Sequence, residues 1–248
     1  MKAVIVAFVL AVISLGAAAQ DVLSDVDLLQ TFDDLRFFDD DVTSLRVRIV
    51  STKGDDVDEA EVLLRFAEID GEDSTRIEFL TNQDVLGQIF LTTPEGTYFF
   101  GPDLDEPIPF DGAQTVFGDS PVAQTAGIRF ATGYSVVARR TETGEDGAAM
   151  LELDLVAEDL AVAFQKATVT ADPETLEPQS VVLYAVSGLP FYEVYFEEYA
   201  TRDEGDVYVR VQRIENRIFE TQTTVSEILE IGTEELDEAL FDPTQLGG

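Results

Sequence analysis

The stretch RIEFLTNQDVLGQIFL, Arg76 to Leu91, decides how the chain is read. It reads as two short strands around a turn, with apolar side chains on both faces. A sheet in water needs a core on only one face, so the second apolar face requires a cover. Upstream, SLRVRIVS alternates Leu45, Val47 and Ile49 against Arg46 and Arg48, and the turn TKGDD leads into AEVLLRFAEI and then DGED. Downstream, GTYFFG is again apolar on both faces, with Tyr98 and Phe100 opposing Phe99. Further strands follow at regular intervals as YSVVARRTE, AAMLELDLV, VAFQKATVT, QSVVLYAVS, FYEVYFEEYA, DVYVRVQRI and TTVSEILEI. Short Gly, Pro and acidic turns separate most of them, which predicts an antiparallel meander of about eleven or twelve strands. Strands do not alternate with long helices as a parallel sheet requires.

The chain starts with Met1-Lys2, the apolar run AVIVAFVLAVISLG and the small-residue stretch AAAQ. This order predicts a secretory signal peptide over residues 1–19, cut between Ala19 and Gln20. Residues 20–248 are then expected to form one exported domain, since no later run is long or apolar enough to span a membrane. With 0 Cys and 0 His, thiol nucleophiles, Ser-His and Cys-His hydrolytic arrangements and thiolate or imidazole zinc sites are excluded. The fold has to rest on packing alone. The formal net charge of −35 opposes nucleic acid and anionic lipid at long range. Acidic residues are interleaved with apolar ones along the whole chain, which describes a folded domain with an acidic shell, as a salty habitat would favour.

From Asp21 to Phe38, Val22, Val26, Leu29, Phe32 and Leu35 recur at spacings of three and four, predicting one amphipathic helix that stops at Asp39-Asp40-Asp41. Between Gly101 and Arg129 the rhythm breaks into a Pro- and Gly-rich segment with isolated Ile108, Phe110, Val116 and Phe117, which is expected to lie across the sheet as a lid. Near the end, Phe241 and Leu246 are placed to dock on the sheet. Phosphate-binding glycine motifs are missing. The acidic turns lack the alternating ligand spacing of a calcium loop, so no metal or cofactor is expected. A carboxylate pair for glycoside hydrolysis has no specific signal among 50 acids. The distributed apolar surface fits a half-closed sheet around a greasy cavity, and it fits equally a sandwich whose two sheets fill each other.

The order of TRIEFLTNQDVLGQIFLTTPEGTYFF, VFGDS, LYAVSGLPFYEVYFEEYA, RIENRIFETQTTVSEILEI and LFDPTQL resembles the outer membrane lipoprotein-sorting family, the LolA-like periplasmic carriers, over residues 29–246. The resemblance implies an incomplete antiparallel β-barrel of about eleven strands, covered by an N-terminal helix and a lid. It implies a non-enzymatic periplasmic monomer whose cavity takes acyl chains of lipoproteins or lipids, between an inner-membrane donor complex and an outer-membrane acceptor. On that model Val47, Ile49, Ile77, Phe79, Ile89, Leu91, Tyr98 and Phe100 line the cavity or its back wall, and Phe110, Val116 and Phe117 belong to the lid. Well-known members carry an Arg-Pro before the strand equivalent to TRIEFL, and that Arg holds the lid shut. Here the turn is Asp70-Gly71-Glu72-Asp73, and Arg76 is the nearest substitute. The alternatives are an exported interaction or sensor module with a filled core on the same fold, and a carboxylate-dependent hydrolase.

Overall fold

The computed structural model describes residues 23–38, 42–69, 71–110, 115–117, 120–121, 128–144, 147–160, 162, 164–202, 205–219 and 222–246. The expected signal peptide with its cut at Ala19, the Asp39–Asp41 turn and Asp70 lie outside them. Helix α1 (Asp25–Asp34) is followed by β1 (Ser44–Lys53), β2 (Asp56–Ile69), β3 (Glu72–Phe79), β4 (Ile89–Thr93), β5 (Gly96–Phe100) and β6 (Ile108–Phe110). A small hairpin, β7 (Thr115–Phe117) and β8 (Ser120–Pro121), precedes the one-turn helix α2 (Phe130–Gly133). Then come β9 (Tyr134–Thr143), β10 (Ala149–Ala157), β11 (Lys166–Ala171), β12 (Pro178–Tyr184), β13 (Pro190–Thr201), β14 (Val207–Asn216) and β15 (Gln222–Gly232). Two short 3-10 turns, Glu238–Phe241 and Pro243–Gln245, end the described chain.

Thirteen strands form one antiparallel sheet in the order β6-β5-β4-β3-β2-β1-β15-β14-β13-β12-β11-β10-β9. Two meanders are thus joined where β1 pairs with β15, from Ser44 opposite Gly232 to Lys53 opposite Gln222. The sheet is not closed: β6 and β9 are its edges. The open barrel that the resemblance implies is thus present, with more strands than the eleven expected. Periodicity missed the β7–β8 hairpin and, within the large sheet, β6, whose Pro109 sits opposite Tyr98. Proline lacks the N–H that a central strand needs, so it is read as a breaker although an edge strand tolerates it.

Helix α1 starts at Ser24, whose hydroxyl accepts from the Asp27 amide at 3.2 Å, with Asp25 and Asp27 in its first turn. Its buried face is Leu28, Leu29 and Phe32 rather than the stripe expected from spacing: Val26 is 65% exposed, Leu35 is half-buried, and Val22 is outside the described residues. The Leu28-Leu29 pair turns the helix toward β9–β14, where it packs with Leu151, Leu153, Leu183, Val194, Phe196 and Ile214. That half of the barrel is filled by its own side chains.

A lined cavity between the strands and alpha1

The other half is not filled. A cavity of about 930 Å³ lies against Val47 and Ile49 of β1, Val62 and Leu64 of β2 and Ile228 of β15. Strict alternation aims these residues inward, because Val47 pairs with Val62, Leu45 with Leu64 and Ile49 with Ala60. Arg36, Phe37 and Phe38, after α1, and Ile128 and Arg129, before α2, complete the wall. Polar groups also reach it, among them Gln212, Ser226 and Thr75. The expected cavity residues Val47 and Ile49 are therefore placed in its wall.

Ile77 and Phe79 share the inner face, opposite Leu64 and Val62, and both are 1% exposed. They belong to a packed aromatic cluster beside the cavity. Phe79 meets Phe90 at 6.4 Å between ring centroids and Phe117 at 5.9 Å, and Phe90 meets Phe99 and Phe110 at 4.9 Å each. Edge-on and tilted arrangements of this kind are favoured by the ring quadrupoles. Phe117 brings the β7–β8 hairpin over the inner face, and Phe110 reaches the same cluster from β6. The side chain of Val116 lies outside the described residues.

Ile89, Leu91, Tyr98 and Phe100 are corrected. Phe90 is opposite Ile77, so its neighbours Ile89 and Leu91 point the other way, opposite Glu78 and Arg76. Tyr98 and Phe100 follow them, being paired with Leu91 and Ile89. These four form an outer cluster with Phe241, Leu246, Leu236 and Leu240, so the C-terminal segment is the second cover that the Arg76–Leu91 pattern demands. Arg76 also serves this cover: its Nη1 donates to the Leu240 carbonyl at 3.1 Å, and Nη2 lies 3.6 Å from Glu78. Both contacts lie with the C-terminal cover and β3 rather than with the described part of the lid.

The segment that follows the lid is held from α1 instead. Asp33, 2% exposed, accepts from the amides of Phe130 at 2.9 Å and Ala131 at 2.8 Å and so caps α2 from another element. Arg36 donates to the Ile128 carbonyl at 2.9 Å, stands 3.6 Å from Asp33 and lies over the Phe130 ring at 4.7 Å. Burial pushes the Asp33 carboxyl up, against the pull of the two amides and Arg36, and pushes the Arg36 guanidinium down to about 10. Arg129 bridges Asp73 of β3 at 2.9 Å and stacks on Phe37 at 4.3 Å. Tyr134, at the start of β9, donates its hydroxyl to the Phe164 carbonyl at 2.7 Å, and burial raises it to about 12. Sequence reasoning singled out none of Asp33, Arg36, Arg129 or Tyr134. The only available signal was that the chain's few arginines include two flanking the helix and the lid.

Among the described residues no helix is long and apolar enough to cross a membrane. A family model described as "Uncharacterized protein" matches residues 71–247. No curated protein matches the chain. Among solved structures, a LolA superfamily protein from Nitrosomonas europaea is 18% identical with a TM-score of 0.78, over 89% of this chain and 98% of its own. A DUF1329 family protein from Desulfovibrio piger gives 15% and 0.73, over 88% and 95%. A domain described as outer membrane lipoprotein-sorting, from Vibrio parahaemolyticus, gives 15% and 0.71 over the same shares. At these identities the likeness is one of fold.

Proposed function

Since the chain belongs to the uncharacterized family whose model spans residues 71–247, on a LolA-like fold, we propose that it is a non-enzymatic periplasmic carrier that holds acyl chains of lipoproteins or lipids and moves them toward the outer membrane. The observation that carries this reading is the cavity of about 930 Å³ walled by Val47, Ile49, Val62 and Leu64, beside a half-barrel whose core gathers around α1. Natural cores rarely leave such space, and small-molecule sites run to roughly 300–1,000 Å³. Transfer of an acyl chain out of water contributes about 0.8 kcal/mol per buried methylene, so one chain supplies enough drive without directional chemistry. Export by the N-terminal apolar run belongs to the same proposal, as do an inner-membrane donor and an outer-membrane acceptor.

A second reading, an exported interaction or sensor module, is favoured by the packing of α1 into the β9–β14 half. A saturable titration with a fluorescent long-chain fatty acid separates the two. The carrier takes up the probe, and Val62→Trp, which fills the cavity from its floor, reduces uptake about tenfold or more. A folded wild-type protein that ignores the probe favours the module.

A further inference from the structure

Strands β13, β14, β15, β1 and β2 share one cross-strand row. Phe196 is opposite Gln212, Gln212 opposite Ser226, Ser226 opposite Ile49 and Ile49 opposite Ala60. Residues directly opposite each other in an antiparallel sheet lie on one face, with Cβ atoms about 5 Å apart. Phe196, Ile49 and Ala60 are buried, as the inner wall of a barrel requires. Gln212 and Ser226 interrupt them with an amide and a hydroxyl, side by side in the cavity wall where the α1-packed half begins. The neighbouring row returns to apolar residues, since Val47 is opposite both Ile228 and Val62.

Other inward polar groups on these two strands are used by the protein. The Asn216 carboxamide oxygen accepts from the amides of Ile218 and Phe219 at 2.9 Å each, and Thr224 has a partner. The side chains of Gln212 and Ser226 have no hydrogen-bond partner among the described residues, and their polar atoms open on the cavity instead of being sealed in the packing. Polar groups left unanswered in an apolar enclosure are unfavourable, so this pair calls for a partner inside the cavity. Arg36 stands next to it. Its side chain, 7% exposed, lines the same cavity with the guanidinium 5.8 Å from the Phe196 ring centroid, one step along the row from Gln212. The carboxylate that balances Arg36 is Asp33 at 3.6 Å, and Asp33 already accepts from the Phe130 and Ala131 amides.

We propose that Gln212, Ser226 and Arg36 form a polar seat for the acyl carbonyl oxygens of the ligand, as a fatty-acid carboxylate or an ester-linked chain presents them. The Gln212 amide and the Ser226 hydroxyl donate to these oxygens, and the nearby guanidinium adds a favourable positive charge. The hydrocarbon runs from the seat along Ile49, Val47, Val62 and Leu64. Sites of this kind are mostly apolar, with a few placed polar groups that fix the orientation of the ligand. The inference rests on the carrier reading of the same cavity and adds that the ligand is held by its carbonyl end as well as by its chain. A wall for hydrocarbon alone gains nothing from Gln and Ser at these two positions.

The test uses diphenylhexatriene, a fluorescent hydrocarbon without oxygen, and its displacement by dodecanoic acid and by methyl dodecanoate. The readout is the affinity of each displacer relative to that of diphenylhexatriene, a ratio in which changes to the apolar wall cancel. The ratio is expected to fall about tenfold from the wild type to the double variant Gln212→Leu, Ser226→Ala, and by part of that in Ser226→Ala alone, which removes a single oxygen and keeps the fold by circular dichroism. Acid and ester displacing equally assign the seat to an ester carbonyl, and acid displacing the more strongly assigns it to a free carboxylate beside Arg36. Ratios that do not change in either variant overturn the proposal and leave the carrier reading in place. Loss of diphenylhexatriene together with both displacers in folded Ser226→Ala also overturns it, because that residue then serves packing. Wild-type protein that takes up none of the three removes the carrier reading and this inference with it.

Discussion

Replacing Asp33 with Ala leaves the Phe130 and Ala131 amides without their acceptor and the buried Arg36 guanidinium without its carboxylate. Breaking a buried pair by removing one partner is expected to cost about 3–5 kcal/mol, read as a lower urea midpoint. Tyr134 governs the alkaline side. Its proton is kept to about 12 in the folded state and lost near 10 when unfolded, so the native state binds more protons and stability falls as pH rises from about 10 to 12. Burial raises Tyr195 to about 12 and Tyr199 upward, in the same sense, while Arg36, lowered to about 10, acts oppositely. The net expectation is a melting temperature that drops across that window, with a shallower slope in Tyr134→Phe. At this scale the sequence was opaque, because one Asp among 50 acids has no distinguishing mark until the chain brings the Phe130 and Ala131 amides to it.

The C-terminal segment behaves as an element of the sheet although it pairs with no strand. Removing residues 234–248 is expected to expose Ile89, Leu91, Tyr98 and Phe100, raise amide exchange in β4 and β5, and promote aggregation. Unchanged exchange in both strands after the truncation would contradict this role. Leu91→Glu is accordingly expected to destabilise the same cover while leaving acyl-probe affinity of the remaining folded protein unchanged, whereas Ile49→Glu acts on the cavity wall. The two-faced apolar pattern of β4 and β5 was legible from residue 89 to 100, and so was the need for two covers. Which face looked inward was not, since a run apolar on both sides carries no phase. Pairing with β3, where Ile77 and Phe79 alternate with Arg76 and Glu78, sets it. For α1, the Leu28-Leu29 pair allowed two overlapping stripes, and the neighbouring β9–β14 wall selected one.

Across the whole molecule, a net charge of −35 repels itself in the compact state. Part of it is offset by arginines in cross-strand pairs, such as Arg48 with Glu59 and Arg210 with Glu198 and Glu227. Raising salt from about 0.05 to 0.5 M shortens the screening length severalfold, so the melting temperature is expected to rise by about 5 °C or more. The antiparallel meander, its open form and the single large sheet were readable from period-two patterning and from the order of motifs. The division of the interior was not readable, since side-chain volume along the chain does not say which half the helix will occupy. That division is the centre of the account: α1 fills one half, and the half walled by Val47, Ile49, Val62 and Leu64 stays open. The measurement that tests it most directly is native mass spectrometry of the protein purified from the envelope of its host, beside Val62→Trp prepared the same way. The account predicts acyl-bearing adducts on the wild type that organic extraction removes and that the Val62→Trp protein lacks. Wild-type protein that is repeatedly empty, or adducts equally abundant on the filled variant, would contradict it.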